Sequence, residues 1–309
     1  MQYAIDTFTI AFGAIIVDGW VANVDAPVRA IRLYNGDDAV FDVAEINLPS
    51  PDVATAVGNH AAACRFRGRW SGQIPADLLQ RGRLRVSFDD GQVLDIERPG
   101  LQALENDPAR RIIHAFQALL AEQTPGSMLE IGSRARSGIT RREYCPPGWT
   151  YVGCDVVEGD NVDVVADAHV LSTLFPAGHF GAAFSVSVFE HLLMPWKVAI
   201  ELNAVLRDGA PCLIMTHQTW PMHDQPWDFW RFSSDAWAAL FNARTGFEII
   251  ATALAEPAYI IPAYLHPVTD FAPTPQGYLS SSVLVRKIGP TTLRWDVGVE
   301  EVLSTSYPV

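Results

Sequence analysis

Four acids and two histidines stand where apolar runs of this chain end. Glu130, Gly132 and Ser133 follow "SMLEIGS", Asp155 closes "TYVGCD", and Asp167 with Ala168 closes "VDVVADA". Ser187 to His191 end "FGAAFSVSVFEH", and His217 ends "APCLIMTH". Each residue type suits a task at a ligand. A glycine lets backbone approach a ligand closely. Asp155 lies 23 positions after Gly132, where an acid can take both hydroxyls of a ribose. Asp167 can accept a hydrogen bond from an adenine amino group. His191 and His217 are candidate general bases, because imidazole titrates near neutrality. Taken singly, each acid is as well explained as a turn or capping residue. The ordered series argues for one site.

The elements that must position these residues alternate. "DPARRIIHAFQALLAEQTPG" carries apolar residues at 112, 113, 116, 119 and 120, a helical spacing. Asp107 is its candidate cap and Pro108 its first residue. The apolar runs then alternate with the helix "PWKVAIELNAVLRDG" and a further capped helix, "SSDAWAALFNARTGF". "GFEIIATAL" and "SSSVLVRKIG" read as late strands. This order predicts a parallel sheet covered by helices, with ligands at the carboxyl ends of the strands. Residues 1–99 read differently. Short β-branched and aromatic segments, with turn signals at Asn35-Gly36-Asp37-Asp38 and Asp90-Gly91, predict a small β-sandwich ending at Pro99-Gly100. The expected layout is 1–99 as a β-sandwich accessory domain and 100–290 as an α/β domain. Residues 291–309 are expected to be a tail on that domain or on a second subunit, so a homo-oligomer stays open.

The ordered segments "LEIGSRARSG", "YVGCDV", "VVADAH", "FSVSVFEHLLMPWKVAIELNAVLRDGA" and "RFSSDAWAALF" resemble a class I S-adenosylmethionine-dependent methyltransferase. The nearest branch is the type 11-like group of small bacterial methyltransferases with Glu-His-Leu after strand four. The resemblance spans roughly residues 105–288. It implies a Rossmann-like seven-stranded sheet whose last strand is antiparallel, and S-adenosyl-L-methionine as cofactor. It places Glu130, Gly132, Ser133, Arg134 and Gly138 by the amino-acid end of the cofactor. Asp155 with Val156 falls at the ribose, Asp167 with Ala168 at the adenine, and Ser187 beside them. The loop "GSRARSG" departs from the glycine-rich pattern of a dinucleotide site, which needs glycines to bring a pyrophosphate to a helix N-terminus. A methionine zwitterion has no phosphate, so Gly132 and Gly138 suffice and an arginine can meet its carboxylate. The same loop argues against a nicotinamide oxidoreductase.

For the acceptor, "THQTWPMHDQPWDFWRFSSDAW" is the informative stretch. Trp220, Trp227 and Trp230, with Glu190, His223, Asp224 and Arg231, are candidate substrate contacts, since aromatic faces with interleaved acids suit a sugar. A packed lid is the competing explanation. His217, His223 and Asp224 also read as metal ligands, but their spacing is not diagnostic, and no metal is assigned. The segments "DGWVANVDAPVRAIRLYNGD" and "SPDVATAVGNH" resemble β-sandwich domains attached to bacterial glycosyltransferases. The expected activity is therefore O-methylation of a sugar in surface-polysaccharide biosynthesis. A small-metabolite methyltransferase and a non-catalytic scaffold in glycan assembly remain alternatives.

Bulk properties narrow the field. The net charge is −13, with 35 acids against 22 bases and no basic run, which argues against nucleic acid and anionic lipid as partners. Cys64, Cys145, Cys154 and Cys212 show no CxxC spacing, so neither a zinc knuckle nor a redox pair is indicated. The absence of a basic, apolar leader and of a membrane-length apolar run places the protein in the cytoplasm as an expectation.

Overall fold

The computed structural model describes residues 1–11, 14–105, 107–258, 277–305 and 307. Two compact units are present, Met1–Arg110 and Arg111–Val309.

The first unit contains two antiparallel sheets. One runs β1 (Gln2–Ala11), β2 (Ala14–Ala22), β6 (Ala63–Ser71), β5 (Glu45–Pro49); the other runs β4 (Asp38–Asp42), β3 (Val28–Asn35), β7 (Gly82–Phe88), β8 (Val93–Glu97). Alternating burial along β2, β3 and β7 sends one face of each sheet into a shared core. Ile5, Val17 and Phe66 from one sheet and Leu33, Val86 and Ile96 from the other form that core. The turn signals hold: Gly36 and Gly91 take φ of +62° and +85° between antiparallel partners. Helices α1 (Pro51–Val57) and α2 (Leu78–Arg81) lie in the connections. Pro99-Gly100 opens a helix, α3 (Pro99–Glu105), in which a Cβ on Gly100 would meet Leu79 and Phe8 of the same unit.

The second unit is a three-layer α/β fold. Its sheet has the order β11 (Val164–Val165), β10 (Thr150–Asp155), β9 (Ser127–Ile131), β12 (Phe180–Val186), β13 (Pro211–His217), β15 (Gly277–Lys287), β14 (Phe247–Ala258). The contacts among β11, β10, β9, β12 and β13 are parallel, and β15 is antiparallel to both its neighbours. This is the seven-stranded sheet with an antiparallel last strand that the sequence resemblance implies. β12 and β13 are apolar on both faces because helices cover both. On one side α4 (Pro108–Ala121) inserts Ile112, Phe116 and Leu120 against Met128, Phe184 and Leu213. On the other, α5 (Pro195–Val205) and α6 (Ala236–Leu240) bring Val198, Leu202, Trp237 and Leu240 to Leu129, Ile131 and Ile214.

The caps follow the expectation in part. Asp107 Oδ1 accepts from the Ala109 N–H at 3.0 Å and starts α4. The helix expected across "SSDAWAALFNARTGF" is only the short α6. Asn242 stops it: its amide donates to Ala238 O and Ala239 O, while its Oδ1 accepts from the Arg244 and Thr245 N–H groups. That side chain gives the backbone a turn in place of another helical turn. A last short helix, α7 (Val299–Val302), precedes the C-terminal residues. Among the described residues no helix is long and apolar enough to cross a membrane.

Candidate active site

In this sheet the chain runs outward from β9 in both directions, to β10 on one side and to β12 on the other. Loops leaving β9 and β12 therefore part company and open a crevice at their carboxyl ends. A cavity of about 370 Å³ lies there, within the size range of small-molecule sites. Its walls include Gly132 after β9, Asp155 and Val156 at the end of β10, and Ser187 and Val188 after β12. Gly132 takes φ +78°, and its N–H donates to Cys154 O at 2.7 Å. A Cβ at that position would sit 2.0 Å from Val188 Cγ2, so the turn passes close to the β12 loop only because it is glycine.

The polar groups of the wall are held by short-range bonds. Asp155 Oδ1 accepts from the Val157 N–H at 3.0 Å and Oδ2 from the Arg134 N–H at 3.2 Å. These fix the carboxylate at the rim and leave lone pairs for a further donor pair. Asp167 Oδ1 accepts from the His169 N–H at 2.9 Å and lies 2.6 Å from His169 Nδ1. His169 Nε2 accepts from the Met194 N–H, so the ring proton is on Nδ1. Burial would raise the Asp167 carboxyl, but the His169 bonds hold it below its ordinary value. Ala168 forms the neighbouring wall. Arg134 also lines the cavity; its buried Nε makes no hydrogen bond among the described residues and lies 4.0 Å from Asp155 Oδ1.

These residues suit the group that the sequence resemblance implies. Asp155 offers acceptors to vicinal hydroxyls, Asp167 offers one to an amino group, and Arg134 Nε, which makes no hydrogen bond and lies 4.0 Å from Asp155 Oδ1, offers a donor to a carboxylate. S-adenosyl-L-methionine carries all three functions.

A second cluster closes the far end. Glu190 is fully buried, and the Thr216 hydroxyl donates to its Oε2. His217 Nε2 stands 3.0 Å from Glu190 Oε1. That is an ion-pair distance, so His217 is the partner of this buried carboxylate. Burial would raise the Glu190 carboxyl; the adjacent His217 and Thr216 hold it below its ordinary value. His191 lines the cavity, and its Nδ1 is 2.6 Å from Trp227 O. Only an N–H can satisfy that carbonyl, so Nε2 carries the lone pair. His223 and Asp224 join the same wall, and Asp224 is held by Arg136.

Comparison with known proteins found no matching family model and no matching curated protein. Solved structures do match. The chain is similar to a SAM-dependent methyltransferase from Archaeoglobus fulgidus at 12% identity, over 58% of this chain and 94% of that one, with a TM-score of 0.41. It is similar to the 1,6-didemethyltoxoflavin-N1-methyltransferase of Burkholderia thailandensis, solved with 1,6-didemethyltoxoflavin and S-adenosylhomocysteine bound. That match has 14% identity, over 71% and 99% of the chains, and a TM-score of 0.42. It is also similar to the 4+2 cyclase SpnF, at 13% identity over 59% and 82%, with a TM-score of 0.41.

Several residues expected at the site stand elsewhere. Glu130 points to the opposite face of β9 from Ile131 and receives the Tyr151 hydroxyl. Ser133 is buried against Gly153, outside the cavity wall. Gly138 turns the loop between Ser137 and Ile139, which do line the cavity. The expected sugar platform is largely structural. Trp227 is 8% exposed, and Trp230 donates its Nε1–H to Leu192 O at 2.7 Å. Arg231 is spent on Asp228 and on the carbonyls of Trp220 and Pro221. Only Trp220 of these three tryptophans stays open, 42% exposed and stacked on His217 at 4.8 Å. Several wall residues have no counterpart among the site residues expected from sequence, Tyr307 among them. Tyr307 lies against His191 and Trp227 and makes 3.4 Å contacts with Arg136 and Asp224. Its segment docks on the same unit, with Lys197 Nζ donating to Val297 O at 2.6 Å.

Glu130 gives a pH test. Burial is the main cause that pushes its carboxyl up to about 7 from an ordinary 4.5. Between these values the folded chain holds a proton that the unfolded chain has released. The contribution of Glu130 to stability therefore falls as pH rises from about 4.5 to about 7, by about 3 kcal/mol, and is constant above. Glu130→Gln keeps an acceptor for Tyr151 and is expected to remove this slope. Urea unfolding at pH 5 and pH 7.5 measures it; equal slopes in both proteins would refute the assignment.

Proposed function

We propose that this protein is an S-adenosyl-L-methionine-dependent methyltransferase acting on an acceptor hydroxyl, with a sugar as the favoured acceptor class. The observation that carries the reading is the series Gly132, Asp155 and Asp167 around one cavity at the point where the sheet order reverses. Arg134, whose buried Nε makes no hydrogen bond and only a 4.0 Å ion pair with Asp155, supports the cofactor's carboxylate end. When bound, the cofactor supplies an electrophilic methyl group on sulfonium. The chain's own task is then alignment of the acceptor and removal of its proton. His191 offers an Nε2 lone pair at the cavity wall, and His217 stands behind it against Glu190. The open indole of Trp220 beside His217 supports a ring-shaped acceptor with an apolar face.

Calorimetric titration with S-adenosylhomocysteine tests the cofactor, with NAD as control. Micromolar binding of the former and none of the latter is expected. The converse result would sink the reading. With binding in hand, methyl transfer to a panel of sugars tests the acceptor.

A further inference from the structure

Glu190, His191 and His223 each bring one ligand atom to a common point, all within 4.8 Å of one another. Three observations make this more than a polar crowd. His191 donates Nδ1–H to Trp227 O, which leaves Nε2 as a lone pair. His223 Nδ1 lies 3.1 Å from Pro221 O, which likewise leaves its Nε2 unprotonated. Fixing one ring nitrogen on a carbonyl so that the other is free is how proteins orient metal-ligating imidazoles. Glu190, fully buried, keeps Oε1 without a hydrogen bond although His217 Nε2 is 3.0 Å away and His191 Nε2 is 3.8 Å away. This buried carboxylate oxygen thus faces the ring nitrogens of both His217 and His191, the arrangement that draws a cation to the point between them. Asp224 Oδ2 is 3.9 Å from His191 Nε2 and can serve as a fourth ligand.

We infer that Glu190, His191 and His223 bind a divalent transition-metal ion at the acceptor end of the cavity. Ligand atoms about 2.0–2.2 Å from one ion stand roughly 3–3.5 Å apart, so the observed separations need only small side-chain adjustments. Two imidazoles and a carboxylate select zinc or a similar ion over magnesium, which prefers oxygen ligands. The site stands by itself; its role rests on the methyltransferase reading. In that reading the ion takes the Nε2 lone pair of His191, holds the acceptor oxygen and lowers the pKa of its hydroxyl, so proton removal falls to His217 and no longer to His191.

The test is calorimetric titration of the tag-free full-length protein with Zn²⁺, and separately with Mg²⁺. One Zn²⁺ per chain, at least a hundredfold tighter than Mg²⁺, is expected. Glu190→Gln and His223→Ala should each weaken it at least tenfold, whereas His114→Ala, an exposed histidine on α4, should not. His223 lies in a partly exposed loop, so its variant reports even if Glu190→Gln fails to fold. No saturable Zn²⁺ binding, or equal binding by wild type and His223→Ala, would overturn the site. Titration of the same sample with S-adenosylhomocysteine separates the two claims. Zinc without S-adenosylhomocysteine binding keeps the metal site and removes the methyltransferase, and the reverse removes only the metal site.

Discussion

Asp155→Ala is expected to weaken S-adenosylhomocysteine binding at least a hundredfold while the protein stays folded. The carboxylate sits at the end of β10 with 12% of its side chain exposed, so a bound ribose meets it with little competing water. Two charge-assisted hydrogen bonds to hydroxyls, at roughly 1.5–3 kcal/mol each, account for that loss. The substitution also strips acceptors from the Val157 and Arg134 N–H groups, which lie at a partly exposed rim where water can replace them. Asp155→Asn separates these causes, because it keeps an oxygen for one N–H and removes the charge. An intermediate affinity for Asn and full loss for Ala is the expected pattern, with melting temperatures close to wild type in both. Wild-type affinity in the Ala variant would mean that the cavity binds something other than a ribose at that wall.

Gly132→Ala should lose both stability and ligand binding. A side chain at φ +78° costs about 1–2 kcal/mol. The added Cβ would also lie 2.0 Å from Val188 Cγ2, so the β9 or β12 loop must move. A combined loss of about 3 kcal/mol corresponds to a fall of about 6–12 °C in Tm for a unit of this size. Adding Val188→Ala tests the cause. The double variant should regain the steric part and keep the backbone part, so the two changes are non-additive. If Val188→Ala leaves the defect of Gly132→Ala untouched, the contact does not govern the turn.

The residues legible in the sequence were those whose position follows from where a buried strand ends. Asp155, Asp167 and Ser187 follow apolar runs, and the parallel sheet gathers such ends at one edge. Glu130 was misplaced for a related reason. Successive residues of β9 face opposite sides, Leu129 and Ile131 into one core and Met128 into the other. Both cores are apolar, so alternation alone does not say which face carries the ligand. The tryptophans of 220–230 failed differently: composition is the same for a packed lid and a stacking platform, and only burial separates them. Tyr307 meets Arg136 across 171 positions of chain, and no local pattern encodes a contact of that separation. Of the His191–His223–Glu190 convergence, only His223 belongs to the metal-ligand set that the sequence offers, with His217 and Asp224; the fold replaces those two, and the carbonyl bonds that free the ring nitrogens are tertiary.

The ion pair between Arg136 and Asp224 joins the loop after β9 to the loop after β13, with both terminal guanidinium nitrogens engaged at 2.6 and 3.1 Å. It is shared property of the two ends of the cleft. A carboxylate that draws Arg136 away, or a cation that draws Asp224 away, changes the partner left behind at the other end. Such linkage is reciprocal: whatever factor the first ligand imposes on the second, the second imposes on the first. If a ligand at either end takes one partner of this pair, the two ends load cooperatively or antagonistically. Measuring each affinity with the other ligand saturating should give the same ratio from either direction, and Arg136→Ala should bring that ratio to one.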